Sequence, residues 1–242
     1  MVDFDALTRA ALRRWQEAKL TRKTLSDNVA KSLVAAKKRY QAVEAKTGVP
    51  WAVIAVIHQR ESSQNWCRSL AQGDPWNKVS VRVPAGRGPF ASWEEAAIDA
   101  LVNCHPYLAK RKDWSLAGVL IALEMYNGLG YASGPTNYKT GKKYPPQPSP
   151  YLWAGTDQYT SGKYIADRKY DPDHVDQQLG CVAMLKSMMA IDPSIAFPGA
   201  GKPADAPEPP PATPEPPKTT TAPVPSAWGS FFAAIVSLFR RK

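Results

Sequence analysis

Two carboxylates, Glu61 and Asp74, stand in the stretch HQRESSQNWCRSLAQGDPW, residues 58–76. Glu61 closes an apolar run that begins at Trp51. If that run is helical, Glu61 shares a face with Ile54, Ile57 and His58, at i−7, i−4 and i−3. An acid there loses hydration and lies at the negative end of the helix dipole, and both effects raise its pKa. A carboxyl that stays protonated near neutral pH can serve as a general acid. Asp74 lies in a Gly73-Asp74-Pro75 turn, where it is expected to be solvated and ionised. One buried acid paired with one wet acid is a glycosidase arrangement: one protonates the leaving oxygen and the other positions water. The plainer readings are a Glu that ends a helix facing water and an Asp that closes an Asx-turn before proline.

The elements that must hold these acids can be read from periodicity and caps. Helices are expected near 51–62, 92–104, 113–126 and 172–190. Ser92 before Trp93-Glu94-Glu95 reads as a capping box, and Asp113 as a cap for a helix starting at Trp114. Lys78-Val79-Ser80-Val81-Arg82-Val83 alternates with period 2 before Pro84-Ala85-Gly86, which predicts a short strand and turn. Residues 128–171 are rich in Gly, Tyr and Pro without a period, so a long ordered loop is expected there. Upstream, Leu7, Ala11, Arg14 and Trp15 suggest one amphipathic helix. Val29, Leu33, Tyr40 and Val43 suggest a second, capped near Ser26 and stopped by Gly48-Val49-Pro50.

The resulting division is an N-terminal helical extension over 1–47, a main domain over 48–197, a linker over 198–226 and a terminal helix over 227–242. Eleven of the 23 prolines fall between Pro198 and Pro225, so the linker cannot pack a core and should be extended. In the last segment Trp228, Phe231, Phe232, Ile235, Val236 and Phe239 follow helical spacing and Arg240-Arg241-Lys242 closes the chain. A helix of about 13 residues reaches about 20 Å, short of a hydrocarbon core of about 30 Å. It is expected to lie in a membrane interface; docking on a protein surface is the alternative.

A net charge of +10 favours a polyanionic partner: nucleic acid, an anionic membrane, or cell wall. No nucleic-acid recognition motif accompanies the charge, and the basic residues are not interleaved with stacking aromatics, so no nucleic acid is expected. Cys67, Cys104 and Cys181 are odd in number and widely spaced, which predicts neither a disulfide framework nor a zinc site. The N-terminal residues have acids where a secretory signal has a basic region, and no apolar stretch follows, so synthesis in the cytosol without a signal is expected.

Here the sequence resembles a family. Glu61-Ser62 at the end of an apolar helix is similar to the Glu-Ser signature of goose-type lysozymes and soluble lytic transglycosylases. Asp74 lies at the spacing where goose-type enzymes carry a water-positioning acid. Glu124-Met125-Tyr126-Asn127-Gly128-Leu129-Gly130 resembles the Tyr-Asn-x-Gly motif of the transglycosylases. The ordered set of Glu-Ser, GDPW, YNGLGY and SPYLW within residues 24–192 resembles bacterial and phage lysozyme-family (endolysin) proteins. The match is incomplete. The Gly-Leu-Met-Gln segment of the transglycosylases is replaced by Gly86-Arg87-Gly88-Pro89-Phe90, and Ala85 stands where goose-type enzymes have a second acid.

The resemblance implies a mainly α, lysozyme-like α+β domain that cleaves the β-1,4 bond between N-acetylmuramic acid and N-acetylglucosamine. It implies Glu61 as proton donor and Asp74 as water-positioning base; in a transglycosylase the substrate's own muramyl hydroxyl attacks and no second acid is required. A glycan strand offers acetamido groups to amides and sugar faces to aromatic rings. Asn127 is therefore expected to hold an N-acetyl group or to orient Glu61, Tyr126, Tyr131, Tyr151 and Trp153 to line the groove, and Ser62 and Gln64 to add polar contacts. Core or loop packing is the plainer reading of each aromatic. No cofactor or metal is expected, and the chain is expected to be a monomer. A phage lysis enzyme that reaches peptidoglycan after membrane opening fits these features.

Three rivals remain at this point. A zinc peptidase would use His58 and Glu61, but no HExxH exists among three histidines. A cysteine peptidase would use Cys67 with His105, since adjacency in sequence does not make Cys104 and His105 a catalytic pair. A non-catalytic, membrane-tethered wall binder would keep the fold with a dead site.

Overall fold

The computed structural model describes residues 2–200 except Gln72 and Val83; the C-terminal helix expected over 227–242 and all but the first residues of the linker lie outside the described residues. The described chain is mainly helical: α1 (Phe4–Glu17), α2 (Lys23–Ala35), α3 (Lys37–Thr47), α4 (Trp51–Ser62), α5 (Trp93–Asn103), α6 (Leu116–Asn127), α7 (Pro150–Trp153) and α8 (Cys181–Ile191). One antiparallel hairpin joins β1 (Lys163–Ala166) to β2 (Lys169–Asp171). No helix among the described residues is long and apolar enough to cross a membrane.

The centre of the fold is α4. Every residue from Trp51 to His58 is buried, so the helix is covered on all sides rather than amphipathic. It packs against α3, α8 and α6. Ser63 and Gln64, both with left-handed backbone (φ 54 and 58), stop it, and their N–H groups bond the carbonyls of Gln59 and His58. That stop leaves Glu61 in the last turn, where the all-apolar face gives way to a cleft. In α6, Ser115 caps the start by accepting from the N–H of Gly118. A Cβ at Gly118 would lie 2.2 Å from the Asp113 carbonyl oxygen, so only glycine allows the chain to turn back this closely. Asp113 accepts from the Ser115 N–H instead of capping the helix itself.

Four expectations are corrected. The N-terminal segment is not an extension: Ala11, Trp15, Leu33, Tyr40 and Val43 belong to one core cluster with Trp51–Ile57, Leu120 and Leu185, and the described residues fall in one compact unit. Its second helix breaks at Ala36 into α2 and α3. Residues 78–82 form no strand; they wrap around the Asp74 carboxylate, and the hairpin lies instead in 163–171, inside the stretch expected to be loop. The last helix begins at Cys181, not 172, because residues 172–180 are held in an irregular path. Asp176 N–H bonds the Tyr159 hydroxyl there, and Gly180 presses so closely on Leu152 that a Cβ would meet its carbonyl oxygen at 2.4 Å. At the end of the described chain, the Leu116 N–H donates to Pro198 O at 2.8 Å, so the domain holds the chain one residue past the expected boundary.

Candidate active site

A groove of about 640 Å3 runs along the ends of α4, α6 and α7 and the hairpin. Arg60, Asn127, Tyr131, Tyr151, Lys163 and Tyr164 contribute to its walls. Glu61 sits beside it: its chain neighbour Arg60 and its hydrogen-bond partner Tyr151 both line the groove.

The Tyr151 hydroxyl donates to Glu61 Oε1 at 2.9 Å. Burial pushes the Glu61 carboxyl up to about 6, against the opposing effects of the Tyr151 hydrogen bond and the Arg60 charge. The sequence argument therefore has the direction and the main cause right. Tyr151 and Tyr126 are themselves held far above the ordinary phenol range by burial and then by the nearby Glu61, so both remain neutral donors. Tyr126 donates to Leu70 O at 3.0 Å, which joins α6 to the segment after α4.

The groove's polar anchor is a charge cluster. Arg60 donates to Asp176 at 3.0 Å and to Leu179 O at 3.1 Å, and Lys163 meets the other Asp176 oxygen at 2.9 Å. Burial pushes the Asp176 carboxyl up, but Arg60 and Lys163 more than offset it and hold it below the ordinary range. The Arg60 guanidinium also lies 4.9 Å from the centre of the Tyr151 ring. Two cations on one carboxylate leave the groove side of this cluster net positive. Tyr131 accepts from the Tyr164 N–H at 3.0 Å, and its ring packs edge-on against Tyr164 and Tyr170, which fixes the hairpin as the far wall.

Several expected site residues are placed elsewhere. Asp74 is only 7% exposed, not solvated. Its Oδ2 accepts from the N–H groups of Val81 and Arg82, both at 3.0 Å, and Oδ1 faces the Arg82 guanidinium at 3.4 Å. A carboxylate in this position fastens a loop, through N–H groups seven and eight residues on rather than through a local Asx-turn. The turn does approach the acid: a Cβ on Gly73 would lie 3.6 Å from the Glu61 carbonyl oxygen. Gln64 points to the opposite side of α4, with its amide bonded to Ser32 and the Tyr40 hydroxyl. Ser62 returns its hydroxyl to His58 O. Trp153 is 3% exposed and faces α1 rather than the groove. Asn127, Tyr131 and Tyr151 do line the groove.

The residues missed by sequence reasoning are Arg60, Lys163, Tyr164 and Asp176, which come from three separate segments with no shared motif. The SPYLW stretch carried a usable signal: Ser149 before Pro150 is a helix cap with proline at N1, and that short helix is what aims Tyr151.

A metal at His58 and a nucleophile at Cys104 each meet a specific obstacle. Both ring nitrogens of His58 are engaged, by the Tyr40 hydroxyl at 3.0 Å and Asn65 O at 3.1 Å, so neither is free for a metal. Burial and then the Asp99 charge push the Cys104 thiol up, which opposes thiolate formation. No protein-family model matches the chain, and neither do any curated proteins or solved structures compared with it.

Proposed function

We propose that the protein cleaves the β-1,4 bond between N-acetylmuramic acid and N-acetylglucosamine in peptidoglycan, with Glu61 as the proton donor. The observation that carries this reading is the Glu61 carboxyl, raised to about 6 and held by Tyr151 beside an open groove lined with tyrosines and an amide. Glu61 protonates the glycosidic oxygen as the bond to the muramyl anomeric carbon breaks. The tyrosines of the wall offer faces to pyranose rings, and the Asn127 amide offers a partner to an acetamido group. In the hydrolytic route a water on the opposite face completes the reaction.

A second reading, lytic transglycosylation, is favoured by the placement of Asp74. Its carboxylate is buried in the 78–82 loop, so Asp74 itself is not held out as a solvated acid to direct water. When the muramyl 6-hydroxyl is the nucleophile, it attacks its own anomeric carbon, Glu61 takes its proton after having given one to the leaving oxygen, and a 1,6-anhydro ring results. Mass spectrometry of products from purified sacculi separates the routes. Reducing muramyl ends mean hydrolysis; ends lighter by one water, about 18 Da, mean transglycosylation. Glu61→Gln is the control, and intact glycan with the wild-type protein would overturn both.

The setting proposed is a phage lysis enzyme acting at the cell envelope, with residues 227–242 binding the bacterial membrane. Deleting those residues should leave cleavage of isolated sacculi intact and reduce binding to anionic vesicles; undiminished vesicle binding would end that part of the proposal.

A further inference from the structure

The charge cluster in the groove wall holds one cation more than its carboxylate can balance. Asp176 is fixed from several sides: Oδ2 accepts from Arg60 Nη2, Oδ1 accepts from Lys163 Nζ and from the Gln178 N–H at 3.0 Å, and its own N–H donates to the Tyr159 hydroxyl. The Arg60 side chain is 7% exposed and that of Asp176 1%, so these two alone would make a closed and neutral buried pair. Lys163, the first residue of β1, brings a second cation to the same carboxylate from the groove side. Its side chain is 28% exposed, and a charge partly withdrawn from water costs free energy unless another charge offsets it.

The donors of the cluster are not used up either. Arg60 meets Asp176 through one nitrogen rather than as a two-point fork, and Nη1 goes to Leu179 O. Its Nε is buried with no hydrogen-bond partner among the described residues. An ammonium has three N–H donors, of which Lys163 spends one on Asp176. Asp167 and Arg168, the other charged residues of the groove, face each other at 3.9 Å in the exposed hairpin turn and offset one another. What remains is one uncompensated positive charge with spare N–H groups, which is the chemistry that binds a carboxylate. The Arg60 guanidinium lies 4.9 Å from the centre of the Tyr151 ring, and the Tyr151 hydroxyl meets Glu61, so this charge stands close to the acid. A muramyl ring cut at its anomeric carbon carries a lactyl group on the 3-position. That group ends in a carboxyl, either free or extended into a peptide with carboxylates of its own. N-acetylglucosamine has no such group.

We propose that Arg60 and Lys163, held by Asp176, form a subsite for a carboxylate of the substrate, borne by the muramyl lactyl group or by the peptide attached to it. The subsite separates muramyl strands from neutral polymers of N-acetylglucosamine with the same backbone. The inference rests on the glycan-cleaving reading of this groove and names what the groove recognises besides sugar faces and acetamido groups.

The test is calorimetric binding to the full-length chain carrying Glu61→Gln, which prevents turnover. The probes are two pairs matched in shape and different in charge. One is N-acetylglucosaminyl-N-acetylmuramic acid and its methyl ester; the other is the same disaccharide bearing L-alanyl-D-glutamate and its dimethyl ester. The acid of at least one pair should bind about tenfold tighter than its ester, the scale of one charge-assisted hydrogen bond. A difference in the first pair assigns the lactyl carboxylate, and a difference in the second pair alone assigns the peptide's. Lys163→Met should abolish most of the preference and Lys163→Arg should keep it. Equal binding of acid and ester in both pairs, or no binding by any probe, would overturn the proposal, as would a preference that survives in folded Lys163→Met. If Lys163→Met does not fold, 13C NMR of the Lys163 side chain, assigned with Lys163→Arg, decides: its signal should move with the acid and not with the ester, and equal movement overturns the proposal. The two readings fail separately. Sacculi left intact by the wild type, with the acid still preferred, would overturn glycan cleavage and support the carboxylate subsite. Sacculi cleaved, with acid and ester bound alike, would overturn the subsite alone.

Discussion

The Tyr151 hydroxyl stands 2.9 Å from Glu61 Oε1, joining a four-residue helix to the last turn of α4, whose first eight residues are all buried. This bond has opposite consequences for the two protonation states. As donor to the carboxylate it favours the ionised acid, while burial favours the neutral one and wins. Tyr151→Phe should therefore raise the Glu61 pKa above about 6 and move the basic limb of the pH–rate profile to higher pH. Activity should also fall, by about tenfold, because the acid loses its orientation. A pH–rate series on sacculi measures both effects. An unmoved limb would mean that Tyr151 does not contact the ionised form in solution.

Glu61→Gln should stabilise the protein at neutral pH while abolishing cleavage. The folded-state pKa of Glu61 lies above its unfolded value, so the folded protein binds the proton more tightly. Stability from this group is therefore highest below about 4.5 and falls as pH rises through about 6. At pH 7 the ionised acid costs on the order of 2 kcal/mol, which an uncharged amide avoids. Thermal melts at pH 4 and pH 7 should show the variant's advantage only at the higher pH.

Asp74 gives a sharper separation of roles. Asp74→Asn keeps an oxygen that can accept from the Val81 and Arg82 N–H groups, so the loop should stay folded. If Asp74 is a loop fastener, this variant retains cleavage within about tenfold, whereas a water-directing base would lose about a hundredfold or more. Asp74→Ala leaves the Val81 and Arg82 N–H groups without their acceptor in an exposed loop, loosens that loop and should lower stability by about 1 kcal/mol. Chemical denaturation with parallel product analysis checks both variants.

Much of this arrangement was legible in the sequence, for physical reasons specific to each part. The run Trp51–Ile57 is too apolar to face water on any side, so the central helix and the fate of the acid at its end followed from composition and period. The Asp74 turn was legible too, but not its burial, because the two N–H groups that cover the carboxylate come from a loop seven and eight residues away whose alternation resembled a strand. Val79 and Val81, which suggested a half-buried strand, are in fact exposed. The groove wall was not legible. Arg60, Lys163 and Asp176 converge from separate segments, and their common purpose exists only once α8 folds back across α4. Gln64 was misplaced because the left-handed turn at Ser63 and Gln64 sends its side chain to the far side of α4.

His58 makes the last prediction, loss of stability in acid. The ring is fully buried among Tyr40, Trp66 and Trp93. Its nitrogens can be satisfied in one way only by the neutral form: Nε2–H donates to Asn65 O, and Nδ1 accepts from the Tyr40 hydroxyl, which in turn accepts from Gln64 Nε2. A second ring proton would face the Tyr40 hydroxyl and force it to reverse, which the Gln64 donor opposes. Burial, and to a lesser extent the Arg39 charge, push the His58 pKa down to about 4, against the favourable Asn65 contact. The unfolded chain takes up this proton near pH 6.5 while the folded chain resists until about 4, so stability is full above 6.5 and falls as pH drops between those values. The loss is on the order of 3 kcal/mol. His58 lies one turn before Glu61, so the acid's own helix end is where this loss is felt. In urea titrations from pH 7 to pH 4 the wild type should lose stability with a midpoint inside that window. Tyr40→Phe should weaken the dependence, because removing the hydroxyl relieves the donor conflict on protonation. An equally steep loss in Tyr40→Phe would place the acid sensitivity outside this cluster.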